Sequence, residues 1–205
     1  MPEPEHVRAF ISIHLDDAVL EALQKFQHSL TAKLPRESVR WSAPEQLHLT
    51  LKFLGNVSAE SLPDLKAAMH PLALACGPLQ LRAEGLGAFP SLRNPRVIWI
   101  GLQGDVERLQ DWQEQLARAV NPWAQKEENR AFHPHLTLGR IRETASRHAR
   151  QIGQVLQDFP VPAFGEWRAS QFFLMRSQLS PKGAVHTILE SYPLRGSDNF
   201  TGTGS

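Results

Sequence analysis

The most regular pattern in the chain is the alternation of apolar and polar residues in QLHLTLKFLG, residues 46–55. A period of two is typical of a β-strand with one face in the core and one polar face. The predicted core face carries Leu47, Leu49, Leu51 and Phe53. The predicted polar face carries His48, Thr50 and Lys52. The segment is therefore predicted to be a strand that presents an imidazole and a hydroxyl on one face.

Five other segments are rich in β-branched and aromatic residues, which favour strands. They are VRAFISIHL at 7–15, LQLRAEGLGAFP at 79–90, PRVIWIGL at 95–102, WRASQFFLMRSQLS at 167–180 and VHTILESYPL at 185–194. The last two flank SPKG, which is typical of a hairpin turn.

Apolar residues that recur every three or four positions predict four helices between the strands. These helices are expected to begin near Asp16 or Asp17, Ser58, Asp105 and His148. No glycine-rich phosphate loop follows a strand, which disfavours a parallel nucleotide-binding fold. We predict an α+β fold with antiparallel sheets, in which each half of the chain supplies one sheet.

The composition describes an ordinary globular protein of 205 residues, with 41% hydrophobic and 21% charged residues. The single cysteine, Cys76, excludes an internal disulfide and favours a cytoplasmic location. The N-terminus does not have the pattern of a secretory signal, and no apolar run is long enough for a membrane span. Residues 196–205 have little to bury, which predicts a disordered tail or a remnant of cloning.

The letters HLTL occur twice, at 48–51 and within FHPHLTLGR at 132–140. In the second copy, alternation places His133, His135, Thr137 and Gly139 on the face opposite the leucines. Each copy therefore presents a histidine beside a threonine. If both strands face one cleft, two imidazoles and two hydroxyls converge on one small site.

Such a site suits in-line hydrolysis of a phosphodiester without a metal. Histidines titrate near neutral pH, so one can draw a proton from water while the other delivers a proton to a leaving oxygen. The threonine hydroxyls can donate hydrogen bonds to the non-bridging oxygens of the phosphate. A strained cyclic phosphate with an alkoxide leaving group is an especially suitable substrate.

The region around the second motif is basic, although the net charge of the whole chain is only +1. Residues 129–150 contain five arginines and one glutamate. Arg140, next to the motif, is a candidate to bind phosphate. By strict alternation Arg140 points with the leucines, so it reaches the cleft only if the strand twists or ends there.

A zinc-type site is the main alternative, because His48, His133 and His135 can supply three imidazole ligands. Neither motif contains an acidic residue or a cysteine to complete a usual ligand set, and a metal would leave the threonines unexplained. We therefore expect no metal. The remaining histidines, including His14 and His186, are interpreted as structural.

The motifs QLHLTLKFLG and FHPHLTLGR resemble the signatures of the two-histidine phosphoesterases. Within that superfamily the chain is similar to the bacterial RNA 2′,3′-cyclic phosphodiesterases, also called 2′-5′ RNA ligases, from about Arg8 to Leu194. The resemblance implies one bilobal domain over residues 1–195. It also implies two antiparallel sheets with pseudo-two-fold symmetry, which face a central groove, and helices packed outside.

The resemblance further implies hydrolysis of a terminal RNA 2′,3′-cyclic phosphate to a 2′-phosphate without a metal. We expect a monomer without a cofactor. His48 would be the general acid and His135 the general base, an assignment that the symmetric motifs themselves leave open. Thr50, Thr137 and Arg140 would bind the substrate. Phe10 would also bind the substrate, as an aromatic near the base of the nucleotide, or alternatively would be a core strand residue. Lys52 is not part of the family signature.

Three other functions remain open. The same groove can join a 2′,3′-cyclic end to a 5′ hydroxyl, as on tRNA halves, or open a cyclic phosphate on a small nucleotide. A non-catalytic protein that binds RNA ends is the alternative outside enzymes. Binding alone would be served equally well by arginine or lysine, which disfavours that alternative.

Overall fold

The computed structural model describes residues 5–125, 131–180 and 183–196. Within these ranges the chain forms four α-helices and nine strands. The helices are α1 (Asp17–Thr31), α2 (Leu62–Ala75), α3 (Val106–Val120) and α4 (Ala149–Asp158). The strands are β1 (His6–His14), β2 (Val39–Trp41), β3 (His48–Ser58), β4 (Leu79–Phe89), β5 (Val97–Gly104), β6 (His135–Ile141), β7 (Glu166–Ala169), β8 (Gln171–Ser180) and β9 (Gly183–Pro193).

All nine strands belong to one curled antiparallel sheet. Their order is β7-β4-β5-β6-β3-β1-β8-β9, and β2 lies beside β6. The α+β fold is confirmed. The two expected sheets are the two halves of this one sheet: β3, β1, β8 and β9 form the first half, and β6, β5, β4 and β7 form the second. One half contains the first HLTL strand and the other contains the second.

The helices and one face of the sheet enclose a continuous core. α1 begins where Asp16 caps it, with Asp16 Oδ1 accepting the backbone N–H of Val19 at 2.9 Å. The apolar stripe of α1 is buried against leucines and isoleucines of the strands. The opposite face of the central strands, here called the groove face, carries the histidines and threonines of the motifs.

Most predicted elements are present with shifted ends. The second helix begins at Leu62 because β3 continues to Ser58 and a short 3₁₀ turn follows. The short strand β2 was not predicted as an element, and the predicted strand at 167–180 is divided at Ser170 into β7 and β8. Two residues of the predicted hairpin turn, 181–182, and residues 197–205 of the predicted tail lie outside the described residues. Within the described part of the chain, no helix has the length and apolar character needed to cross a membrane.

Candidate active site

The two HLTL strands meet at the centre of the sheet. β3 and β6 are joined by the antiparallel pair Leu49 and Leu136. Both leucine side chains are buried in the core, so the residues on either side of each leucine point to the groove face. Because the strands run antiparallel, the histidine of each motif lies on the same side of this pair as the threonine of the other. Both His-x-Thr pairs therefore border one site.

A β-bulge follows the threonine of the first motif. Consecutive residues of β1 pair with Thr50 and Lys52, so Leu51 is an extra residue and the alternation reverses. The predicted orientations of the next two residues are therefore wrong. Lys52 lies on the core face and is buried, whereas Phe53 lies opposite Phe10 on the groove face and is 56% exposed.

A second bulge occupies the same place in the other motif. Consecutive residues of β5 pair with Thr137 and Gly139, so Leu138 is the extra residue. Arg140 then pairs with Val97 and lies on the same face as Thr137, where it is exposed. The expectation that Arg140 points with the leucines is wrong, and the bulge is the reason. Phe53 and Arg140 therefore occupy equivalent positions, each five residues after the histidine of its motif. The first half places Phe53 on the groove face, and the second half places Arg140 there.

The ring of His48 is surrounded by other rings. Phe10 is only 2% exposed and stacks on His48 with the ring centroids 5.0 Å apart. His186 meets both rings edge-on, 4.8 Å from Phe10 and 5.3 Å from His48. Burial, together with the charges of His186 and His14, lowers the pKa of His48 to about 3. His48 is therefore neutral in the free protein near pH 7.

His14 and His186, which the sequence analysis interpreted as structural, both lie beside His48. His14 pairs with His48 across β1 and β3 and stacks on Phe173 at 4.0 Å. Burial lowers the pKa of both His14 and His186. For His14 there was a signal in the sequence, because the alternation of β1 puts it on the same face as Phe10. No local signal marks His186, because its position depends on the pairing of β9 with β8 and of β8 with β1.

His135 has a different environment. Its Nδ1 lies 2.6 Å from the backbone carbonyl of His133, an arrangement in which Nδ1–H donates and Nε2 is left as the acceptor. The ring of Phe89 meets it edge-on at 5.0 Å, and Trp99 lies at 6.3 Å. Burial lowers the pKa of His135, opposed by the bond to His133 and assisted by the charge of Arg140. A neutral imidazole with a free Nε2 is the form that a general base requires.

Arg40 lies directly opposite Arg140, because β2 pairs with β6 in that register. Both side chains are exposed on the same face. Like charges in directly opposite positions repel each other, and no carboxylate within the described ranges forms an ion pair with either one. Arg40 was missed by the sequence analysis because the strand that carries it has only three residues. The pair provides a place for an anion next to the site.

The metal-site alternative finds no geometric counterpart. Among the residues that the structure describes, no three His, Cys, Asp or Glu side chains are grouped so as to hold a metal ion. His48, His133 and His135 therefore do not form such a group.

Comparison with known proteins identifies the same two-fold arrangement. The family described as LigT-like phosphoesterase matches the chain twice, over residues 13–99 and 100–186. Each match contains one HLTL strand. An RNA 2′,3′-cyclic phosphodiesterase of Thermus thermophilus is 36% identical over 204 residues, covering 93% of this chain and 91% of that protein. One of Methanothermobacter thermautotrophicus is 30% identical over 188 residues, covering 92% and 99%.

Solved structures agree with this result. The crystal structure of a protein from Thermus thermophilus superposes with a TM-score of 0.72 at 33% identity, covering 92% of this chain and 98% of that one. The crystal structure of Escherichia coli LigT complexed with 3′-AMP gives a TM-score of 0.71 at 27% identity, covering 93% and 99%.

Proposed function

Because the chain belongs to the LigT-like phosphoesterase family, we propose that it hydrolyses the 2′,3′-cyclic phosphate at the end of an RNA to a 2′-phosphomonoester. The observation that carries the proposal is the pair Leu49–Leu136, which brings both His-x-Thr pairs to one site. The two named relatives are RNA 2′,3′-cyclic phosphodiesterases, and the match to this chain covers 99% and 91% of their lengths. They support the same reaction.

In the proposed reaction, Nε2 of His135 accepts a proton from water as the water oxygen attacks phosphorus. The bond from phosphorus to O3′ breaks, and His48 delivers its proton to O3′. The hydrogen bond from His135 to the carbonyl of His133 supports the role of base, because it holds the tautomer with Nε2 free. Thr50 and Thr137 donate hydrogen bonds to the non-bridging oxygens.

His48 must be protonated to act as the acid, although its pKa in the free protein is about 3. The phosphate supplies the missing partner, because an anion within a few ångströms favours the charged imidazole. Substrate binding therefore raises the pKa of His48, so that the imidazole becomes protonated. This is the proton that His48 then donates to O3′. The enclosing rings of Phe10 and His186 keep water away and strengthen this coupling.

An RNA strand, rather than a lone nucleotide, is the substrate that the surroundings favour. Phe53, which is 56% exposed and whose ring centroid lies 6.1 Å from that of the buried Phe10, provides an apolar surface on one side for the terminal nucleoside. On the other side, Arg40 and Arg140 are placed to bind the preceding phosphate. We expect a monomeric enzyme, and the free thiol of Cys76 suits a reducing cytoplasm.

The test is turnover of an oligonucleotide that ends in a 2′,3′-cyclic phosphate, with the monoester product identified by chromatography. The wild-type protein should give the 2′-phosphate, and His48→Ala or His135→Ala should lower kcat by about 10²- to 10⁴-fold. Folding of both variants is checked by circular dichroism. Activity that survives either change, or a 3′-phosphate product, contradicts the proposal.

The same assay distinguishes the related reactions. A 5′-hydroxyl oligonucleotide added to the mixture would yield a joined product if ligation competes with hydrolysis. A cyclic mononucleotide should be hydrolysed with a higher KM than the oligonucleotide, because it lacks the phosphate assigned to Arg40 and Arg140. Binding without any product would indicate a protein that only holds RNA ends.

A further inference from the structure

An eight-residue pattern recurs in two of the helices. α1 contains LQKFQHSL at 23–30, and α3 contains LQDWQEQL at 109–116. In both, the first glutamine is exposed and the second, Gln27 or Gln113, is buried. A buried amide among apolar side chains requires a hydrogen-bond partner, since leaving it unpaired is costly. Each of the two buried glutamines is therefore expected to have a hydrogen-bond partner inside the protein.

The two buried amides donate to equivalent atoms. Nε2 of Gln27 donates to the carbonyl of Leu138 at 2.9 Å, and Nε2 of Gln113 donates to the carbonyl of Leu51 at 2.9 Å. Leu138 and Leu51 are the two bulge residues, each directly after the threonine of its motif. Both hydrogen bonds are buried. The same side chain thus binds the same irregular point of both HLTL strands.

Each hydrogen bond crosses from one half of the molecule to the other. α1 follows β1 in the half that contains the first motif, yet Gln27 binds the bulge of the second motif. α3 follows β5 in the half that contains the second motif, yet Gln113 binds the bulge of the first. Gln27 also donates to the carbonyl of Ser42, at 3.0 Å, just beyond β2. The two halves are therefore linked reciprocally at the site.

The position of each bulge decides which residues face the groove. A slip of one residue in a strand moves every following side chain to the other face. Without the bulge at Leu138, Arg140 would point to the core, and without the bulge at Leu51, Lys52 would take the place of Phe53. A fixed donor aimed at the bulge carbonyl holds the bulge at that residue.

We infer that Gln27 and Gln113 are positioning residues for catalysis, each holding the motif strand of the opposite half in its working register. The kinetic part of this inference rests on the proposed hydrolysis. The structural part, the control of each imidazole by a distant glutamine, does not require turnover.

The kinetic test compares Gln27→Met and Gln113→Met, which keep the side-chain length and remove the donor. The exposed glutamines of the same repeat provide the matched controls, Gln24→Met and Gln110→Met. Each buried variant should lower kcat on the cyclic-ended oligonucleotide by about 10- to 100-fold, because small displacements of catalytic groups have effects of that size. KM for the oligonucleotide should rise as well, because each bulge also orients Phe53 or Arg140, and the controls should match wild type in both quantities. An unchanged kcat in a folded buried variant overturns the inference.

The second test follows the histidine ring resonances by NMR without substrate. Gln113→Met should shift the signals of His48 and leave those of His135, and Gln27→Met should do the reverse. Shifts of neither ring, or equal shifts of both, overturn the inference. A wild-type protein that shows no hydrolysis would refute the proposed function, while this crossed pattern would still decide the positioning role.

If the methionine variants do not fold, the unmodified protein supplies the measurement. The side-chain amide protons of Gln27 and Gln113 should exchange with solvent as slowly as backbone amides of the central strands. Exchange as fast as that of Gln24 and Gln110 overturns the inference.

Discussion

The rings of Phe10 and His48 lie stacked, with centroids 5.0 Å apart and planes inclined by 25°. Phe10 thereby removes water from one side of the imidazole that the proposed reaction uses as its acid. The same contact contributes to the low pKa of His48, because burial disfavours the charged ring. An acid that is unprotonated until phosphate arrives makes proton delivery depend on substrate.

His186→Gln should raise the pKa of His48 above its value of about 3. The charge of His186 is one of the causes that lower it, and glutamine removes that charge while keeping a polar side chain. The measurement is an NMR titration of the His48 ring protons. His28→Gln, on the exposed side of α1, is the control and should leave the titration unchanged. A pKa that stays the same in His186→Gln would exclude His186 as a cause.

Acid should destabilise the protein through His48. The pKa of the imidazole is about 6.5 in the unfolded chain and about 3 in the folded protein, so the unfolded chain binds more protons between these values. The stability contributed by neutral His48 is therefore complete above pH 6.5 and decreases as pH falls towards 3. His48→Gln should lose less stability than wild type between pH 7 and pH 4, measured by urea unfolding. Parallel pH profiles for the two proteins would contradict this prediction.

Arg40→Ala should weaken binding of the cyclic-ended oligonucleotide several-fold and leave the cyclic mononucleotide unaffected. The reason is that Arg40 is assigned to the phosphate that only the oligonucleotide has. The slope of log K against log salt concentration should become smaller by about 1, as expected for the loss of one phosphate contact. Arg118→Ala, an exposed arginine in the last turn of α3, is the control. Equal losses for both substrates would place Arg40 at the scissile phosphate instead.

The sequence predicted the two motif strands, the α+β fold and the candidate histidines because each depends on local periodicity. Alternation correctly placed His48 and Thr50 on one face, since no irregularity lies between them. It was wrong immediately afterwards, at Lys52 and Phe53, because a bulge is a property of the pairing between strands and leaves no periodic signal in one strand. The same reason accounts for Arg140.

Residues brought to the site by distant pairing were not predictable from single segments. Arg40 depends on a three-residue strand beside β6, and His186 depends on an edge strand more than a hundred residues from His48. Gln27 and Gln113 did have a signal, the repeated pattern in α1 and α3. The repeated pattern alone does not show what the two glutamines bind. Their partners, the two bulge carbonyls, are apparent only in the structure.

Gly139→Ala should disturb the arginine pair without touching either arginine. A Cβ at Gly139 would lie 2.7 Å from Val39 Cγ1, 3.0 Å from a ring carbon of Trp41 and 3.1 Å from the carbonyl of Arg40. All three belong to β2, so the side chains of Val39 and Trp41 and the backbone at Arg40 must give way. We expect β2 to shift from β6 as a unit and to carry Arg40 away from Arg140. We expect a loss of about 1–3 kcal/mol in the free energy of unfolding, together with a higher KM for the oligonucleotide.

Val39→Ala provides the matching rescue, because it removes the Cγ1 atom in the closest of these contacts. The double variant should recover part of the stability and part of the oligonucleotide affinity that Gly139→Ala loses. A double-mutant cycle on both quantities measures that coupling. Strictly additive losses would mean that β2 does not move as a unit, and the link between Gly139 and the position of Arg40 would then be wrong.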